Sequence, residues 1–186
     1  MPRTSNKVER LMEAAKELIH QQGYNQTTLA DIAQKSGVPL GNVYYYFKTK
    51  DEIAAAVIEE YRQAVLKVLS DVDANEPDPR QRLLWFIKRM SGHKDEVATH
   101  GCPVGSLCQE LNKDATSLAK RADDIIKFEV KWAADQFKLM GRKDAMDLAV
   151  QLIATLQGVS LLANAMKSSG LIGKQLARLQ EWIEEM

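Results

Sequence analysis

The chain has 186 residues with 25 basic and 25 acidic side chains, so it is no polycation, and its length suits one ordinary domain or a small domain joined to a larger one. Two cysteines and no secretory leader point to a reducing cytosol without structural disulfides. His20, His93 and His100 are not spaced with carboxylates or cysteines as a catalytic or metal set, and no glycine-rich phosphate loop occurs; neither an enzyme nor a cofactor is indicated.

Asn6 with Glu9 can open a first helix, in which Val8, Leu11, Met12, Ala15, Leu18 and Ile19 recur at helical spacing before Gly23 closes it. Thr27 to Lys50 then predicts two short helices, a tight turn and the start of a longer helix. Thr27 or Thr28 can cap the first of these, and Thr28 with Asp31 fits a capping box. Leu29, Ile32 and Ala33 share its apolar face. Gly37 stands where it would end, and the next helix can begin around Pro39. Val43 and Phe47 then point at the core, which leaves Gly41, Asn42, Tyr44 and Tyr45 outside. A short helix with a small residue near its start and outward tyrosines suits the floor of a DNA major groove. Residues 1–50 also hold seven basic groups against four acidic, a modest excess that suits electrostatic capture of DNA.

Thr49 and Glu52 form a second capping-box pattern for a long fourth helix with Ile53, Val57, Tyr61, Val65, Val68 and Val72 on its stripe. That helix is the natural lever between the DNA-binding end and the remainder. Asp78 and Pro79 open a fifth, with Leu83, Phe86, Ile87 and Met90 on one face and Trp85 and Arg89 on another. Ser91 to Gly101 is polar and reads as a frayed end plus loop. Cys102-Pro103 opens a short sixth helix carrying Val104, Leu107, Cys108 and Leu111. Asp114 is expected to cap a long seventh helix ending near Gly141. It is apolar on two sides: Leu118, Ala122, Ile125 and Trp132 on one, Ile126, Val130, Ala133, Phe137 and Met140 on the other.

An eighth helix, about 143–167, contains nineteen residues without a charge, Leu148 to Met166. Length alone would permit a membrane span, but Gln151, Gln157 and Asn164 are costly in hydrocarbon, so a helix buried in a soluble protein or dimer is the better reading. Gly170 and Gly173 separate it from a ninth helix with Ile172, Leu176, Leu179 and Ile183. No segment reads as strand, and the expected fold class is all-α.

The Thr27–Lys50 stretch resembles the helix-turn-helix of the tetracycline-repressor (TetR) family of bacterial transcription regulators. Thr27, Thr28, Ile32, Ala33, Ser36, Gly37, Val38, Gly41, Val43, Tyr44, Tyr46, Phe47, Thr49 and Lys50 stand in register with the family pattern. The resemblance covers about the first third of the chain. It implies a nine-helix fold with a helix-turn-helix domain over residues 1–50 and a ligand-binding and dimerisation domain over 51–186. It also implies that Leu40, Gly41 and Tyr44 lie near bases, with Thr28, Asn42, Tyr45, Tyr46 and Lys50 on the DNA backbone. Hydroxyls, an amide and a lysine at a helix start are ordinary phosphate partners. Leu40 departs from the many relatives with a polar or basic residue there; it can touch a thymine methyl but cannot read a guanine. The implied protein is a cytoplasmic homodimer, paired through its last two helices. It binds a palindromic operator, most often as a repressor, and is released by a small-molecule effector. No membrane partner is implied.

For the effector, Trp85, Phe86, Met90, Phe128 and Trp132 are candidate lining, with Phe137 beside them. Arg89, Gln109, Gln157 and Asn164 are candidate polar contacts. Plain core packing is the alternative for each residue alone; the group stands out because helices seven and eight are apolar over more surface than one neighbour covers. Cys102 falls at an N-cap, where the helix dipole favours a thiolate, and a Gly-Cys pair at this place resembles an electrophile-sensing member of the family. An unreactive loop cysteine is the alternative there. An effector-independent helix-turn-helix protein and a thiol-based electrophile sensor through Cys102 are the alternative functions.

Overall fold

The structure is a computed structural model that describes residues 3–114 and 117–186. Its helices are α1 (Arg3–Gln22), α2 (Leu29–Ser36), α3 (Leu40–Tyr46), α4 (Lys50–Asn75), α5 (Pro79–Arg89), α6 (Lys94–His100), α7 (Pro103–Lys113), α8 (Ala119–Leu139), α9 (Ala145–Ala165) and α10 (Ser169–Glu184), with one 3-10 turn at Met90–His93. The protein is all-helical with an N-terminal helix-turn-helix. The nine helices expected from the sequence are all present, and α6 is added to them.

The additional helix lies in the Ser91–Gly101 stretch expected to be loop. Asp95 and Glu96 occupy its first turn, where the helix dipole favours negative charge, and Val97 and Ala98 are buried. Asn164 of α9 donates its amide to the carbonyls of Ala98 (3.3 Å) and Thr99 (2.8 Å), so the end of α6 is held by a side chain 65 residues away. Asp114 was expected to start the seventh helix. Its backbone N–H instead bonds Glu110 at the end of α7, and α8 begins at Ala119; Ala115 and Thr116 lie outside the described residues. Gly170 and Gly173 fall inside α10 rather than before it.

The chain divides into two compact units. The first comprises residues up to Gln63 together with Ser106–Asp124; the second comprises Ala64–Gly105 and Ile125–Met186. In the first, Leu11, Ala15, Ile32, Val43, Ile53 and Val57 are fully buried and form the core under α1, α2 and α3. In the second, α9 and α10 pack on one another, with α5 against α10 and α6 against both. Leu83, Ile87, Leu152, Ile172 and Phe137 are fully buried there. One polar cluster is built into this second unit. Trp132 donates its indole N–H to Asp73 (3.0 Å). Arg82 bonds the Gln136 side chain (3.1 Å) and the Asp73 carbonyl (3.1 Å), so the end of α4 is tied to α5 and α8.

α9 is long and apolar enough to cross a membrane by length and composition alone. Leu148, Leu152, Leu156, Val159 and Ala163 are buried within the chain, and Asn164 is spent on α6, which are the properties of a core helix.

Candidate functional site

Local chemistry fixes the geometry of α2 and α3. Thr28 is the N-cap of α2: its hydroxyl accepts the Asp31 N–H (3.1 Å), and the Asp31 carboxylate accepts the Thr28 N–H (2.9 Å). The Thr28 hydroxyl also donates to this carboxylate (2.7 Å), and that bond, with the one from the Thr28 N–H, holds the Asp31 carboxyl below the usual carboxylate range. Thr27, the other candidate cap, is buried and donates to the Gly23 carbonyl (2.7 Å), closing the turn after α1. Gly37 ends α2 in the left-handed region (φ 63°), with Val38 N–H returning to Ala33 (3.2 Å). A Cβ at Gly37 would also lie 2.7 Å from the end of the Arg10 side chain, whose guanidinium bonds the Ser36 carbonyl and would have to shift; the left-handed backbone is what requires glycine.

This turn presents α3 outward. Val43 is fully buried, whereas Leu40, Gly41, Tyr44 and Tyr45 are exposed; Tyr45 keeps 73% of its surface. Asn42 and Tyr46 are half-buried, and the Tyr46 ring meets Tyr45 edge-on at 5.0 Å. Phe47, expected in the core with Val43, is only half-buried. Nothing lies within 4 Å of where a Cβ on Gly41 would sit, so this glycine leaves an open notch at the start of α3.

The cations nearby are not loose. Lys48 donates to the Tyr44 carbonyl (2.7 Å). Lys50 donates to the carbonyls of Tyr24 (3.0 Å) and Asn25 (3.3 Å) and sits 4.2 Å from the centroid of the Tyr24 ring. Lys50 therefore anchors the loop before the helix-turn-helix, a role that its spacing alone did not indicate. Glu110 of α7 holds the same loop, accepting the N–H groups of Tyr24 (2.8 Å) and Asn25 (2.7 Å). Burial and the neighbouring Asp51 carboxylate raise the Tyr24 hydroxyl far above its ordinary value, so it remains a donor to Asp51. At α4 the expected capping box is half formed: Thr49 accepts the Glu52 N–H (3.2 Å), but the Glu52 carboxylate takes the N–H of Lys48 instead.

The effector candidates separate. Phe86 and Trp132 pack together at 5.3 Å, and both are buried. Phe128, Met90 and Gln157 are half-buried. Trp85 and Arg89 are exposed, and Gln109 is exposed on the other compact unit. Gln157 donates to the Cys102 sulfur (3.6 Å), which also accepts the Gly105 N–H (3.3 Å); a Cβ at Gly105 would lie 2.3 Å from the Gln157 amide oxygen. Cys102 thus has cap geometry, but the expected acidification is overturned. Burial above all, and the Glu129 carboxyl to a lesser degree, push its thiol up, and this outweighs the three hydrogen bonds from Gly105, Gln157 and Val104 that favour thiolate. Glu129 of α8 was not anticipated at all. Burial raises its carboxyl to about 7. It occupies the same helical stripe as Ile125, Trp132 and Gln136, a stripe traced only through its apolar members.

An exposed α3 behind a capped and glycine-terminated α2 defines a helix-turn-helix DNA-binding protein. Comparison with known proteins agrees. The family described as bacterial regulatory proteins, tetR family, matches residues 11–57. An uncharacterized HTH-type transcriptional regulator in the lacX 3′ region of Lactococcus lactis subsp. lactis is 29% identical over 165 residues, 84% of this chain and 83% of that protein. The HTH-type transcriptional regulator LmrA of Bacillus subtilis (strain 168) is 26% identical over 170 residues, 87% of this chain and 88% of LmrA. Among solved structures, a TetR transcriptional regulator from Chloroflexus aurantiacus has the same fold, with a TM-score of 0.86 at 20% identity over 100% of this chain and 98% of that one. Residues 11–57 thus carry the DNA-binding region of the TetR family of helix-turn-helix transcriptional regulators, and over most of its length the chain is similar to regulators of that kind.

Proposed function

We propose that the chain is a one-component cytoplasmic repressor that binds a palindromic operator as a homodimer and releases it when a small molecule binds. The observation that carries this reading is the α3 surface: Leu40, Gly41, Tyr44 and Tyr45 stand clear of the core beside a glycine notch that nothing in the chain fills. Leu40, Gly41 and Tyr44 would meet base edges, and Thr28, Asn42, Tyr45 and Tyr46 the backbone; Lys50 would reach a phosphate only through the donor capacity its carbonyl partners leave. Residues 1–50 form the DNA-binding domain in this reading and 51–186 the effector and dimerisation domain.

Dimerisation is supported by α9, whose Met146, Val150, Leu161 and Leu162 are half or more exposed, as is Met166 just after it, while the opposite side of the helix is buried. Ala154 and Gly158 lie between them and let a second helix come close. The homodimer would pair α9 and α10 of each copy, placing two α3 helices about one DNA turn (~34–36 Å) apart. Effector binding would alter that spacing through α4, at a coupling of ~1–3 kcal/mol that DNA must return by weakening effector binding.

Sequencing genomic fragments retained by the purified dimer tests the reading. The expected result is one enriched palindrome, released by compounds related to the neighbouring genes. Retention of unrelated fragments with uniform affinity would exclude an operator, and an enriched palindrome that no compound releases would favour an effector-independent regulator.

A further inference from the structure

α3 contains no charged side chain, and the chain has no arginine between Arg10 and Arg62. Base edges are usually read by such groups or by amides: arginine or lysine for guanine, asparagine or glutamine for adenine. Arg10 is turned to the Ser36 carbonyl. Each lysine of residues 11–50 is also engaged within the protein. Lys16 pairs with Glu60, Lys35 with Glu17 (2.6 Å), Lys48 with the Tyr44 carbonyl (2.7 Å) and Lys50 with the carbonyls of Tyr24 and Asn25. Asn42, the amide of α3, is half-buried and lies ~200° around the helix from Leu40, off its exposed face.

That face presents Leu40, Gly41 and Tyr44 within a sector of ~100°, with Tyr45 beside them. The Leu40 methyls are apolar. The Tyr44 hydroxyl donates or accepts equally well, so it does not by itself tell one base edge from another. At Gly41 no atom of the chain comes within 4 Å of where a Cβ would sit. The major groove has one apolar feature that matches such a surface, the methyl group on C5 of thymine.

We infer that α3 recognises its operator through pyrimidine C5-methyl groups: a thymine methyl in each half-site packs on Leu40 over the open space at Gly41, and 5-methylcytosine is accepted in its place. The inference rests on the operator reading above. Thymine and cytosine carry C5 at the same place in the groove, and there they differ only by the methyl. Their hydrogen-bonding edges are opposite, an O4 acceptor in thymine and an N4 donor in cytosine. A surface with no charged or amide group to test that edge responds to the methyl instead. Removing a thymine methyl would therefore weaken binding, and methylating a cytosine at the same position would strengthen it.

The test uses the palindrome enriched from genomic fragments, made as synthetic duplexes. Each thymine is replaced in turn by deoxyuridine, symmetrically in both halves, which removes the methyl alone. The position that responds is then filled with cytosine or 5-methylcytosine opposite guanine. Affinities are measured by anisotropy for wild type and Leu40→Ala, the variant shown to be folded by circular dichroism. At one or more positions uracil should weaken wild-type binding about tenfold, as expected for two buried methyl groups, and 5-methylcytosine should bind more tightly than cytosine by a similar factor. In Leu40→Ala both ratios should fall towards one. Equal binding of thymine and uracil at every position would overturn the inference, as would equal binding of cytosine and 5-methylcytosine. Ratios unchanged in Leu40→Ala would also overturn it, because they would report DNA flexibility rather than a methyl contact. An enriched palindrome indifferent to uracil would leave the operator reading standing without methyl recognition; no enriched palindrome would remove both.

Discussion

Replacing Glu129 by glutamine keeps the shape of the side chain and removes only its ability to ionise. Burial holds this carboxyl at about 7 against an ordinary 4.5, so at high pH the fold must carry a carboxylate that it disfavours. Linkage converts that difference to ~3 kcal/mol, and the surface the residue retains lets water screen part of it, leaving ~2–3 kcal/mol. The sign follows from proton counting. Below pH 4.5 both folded and unfolded chains hold the proton, and the group has no effect. Between 4.5 and 7 the unfolded chain loses its proton first, so stability falls as pH rises. Above about 7 the whole penalty is present. Glutamine has none of this, so Glu129→Gln should match wild type near pH 4.5 and exceed it by ~2–3 kcal/mol at pH 8. Urea denaturation followed by circular dichroism, at one protein concentration across pH 4.5–8, measures the difference directly. Parallel stability curves for the two proteins would refute the reasoning, because they would mean that Glu129 is solvated or paired.

Gly41→Ala should stabilise the folded protein by up to ~0.5–1 kcal/mol, since the added methyl meets nothing in the chain and reduces backbone freedom in a helix. The same variant should lose operator affinity in an anisotropy titration; unchanged affinity would mean that the notch does not face DNA. Leu161→Glu, on the exposed side of α9, should yield folded monomers by sedimentation, because an unpaired carboxylate inside a dimer interface costs several kcal/mol. A variant that remains dimeric would put the interface elsewhere. Cys102 should react slowly with iodoacetamide at neutral pH and faster once the protein is unfolded, since burial keeps it a thiol. Rapid alkylation of the folded protein accompanied by loss of operator binding would restore an electrophile sensor.

Much of the fold was legible because its signals are local. Thr28 with Asp31, Gly37, Asp78 with Pro79 and the uncharged run in α9 each settle a helix end or a buried face within a few residues. What escaped depends on distance or on competing effects. α6 has only Val97 and Ala98 buried, too few for a period, and Asn164 helps hold its end from α9. Glu110 reaches the Tyr24 and Asn25 backbone across about 85 residues, and Lys50 turns to the same loop; neither bond has a sequence signature. Cys102 shows two effects of opposite sign, and only the helix-terminus effect is visible without knowing how deeply the thiol is buried. Glu129 had a readable signal: it breaks an apolar stripe at Ile125 and Trp132 with a carboxylate where a hydrophobe is expected.

The α3 surface is the centre of the account, and footprinting tests it most directly. DNase protection of a selected genomic fragment is measured with wild type and with Tyr44→Ala, a substitution at an exposed residue 48% accessible. The expected result is a two-fold symmetric footprint for wild type. Tyr44→Ala should need a concentration higher by the equivalent of ~1–3 kcal/mol on that site, while its binding to unrelated DNA and its melting temperature stay unchanged. An identical footprint at identical concentration would contradict the assignment of α3 as the recognition helix.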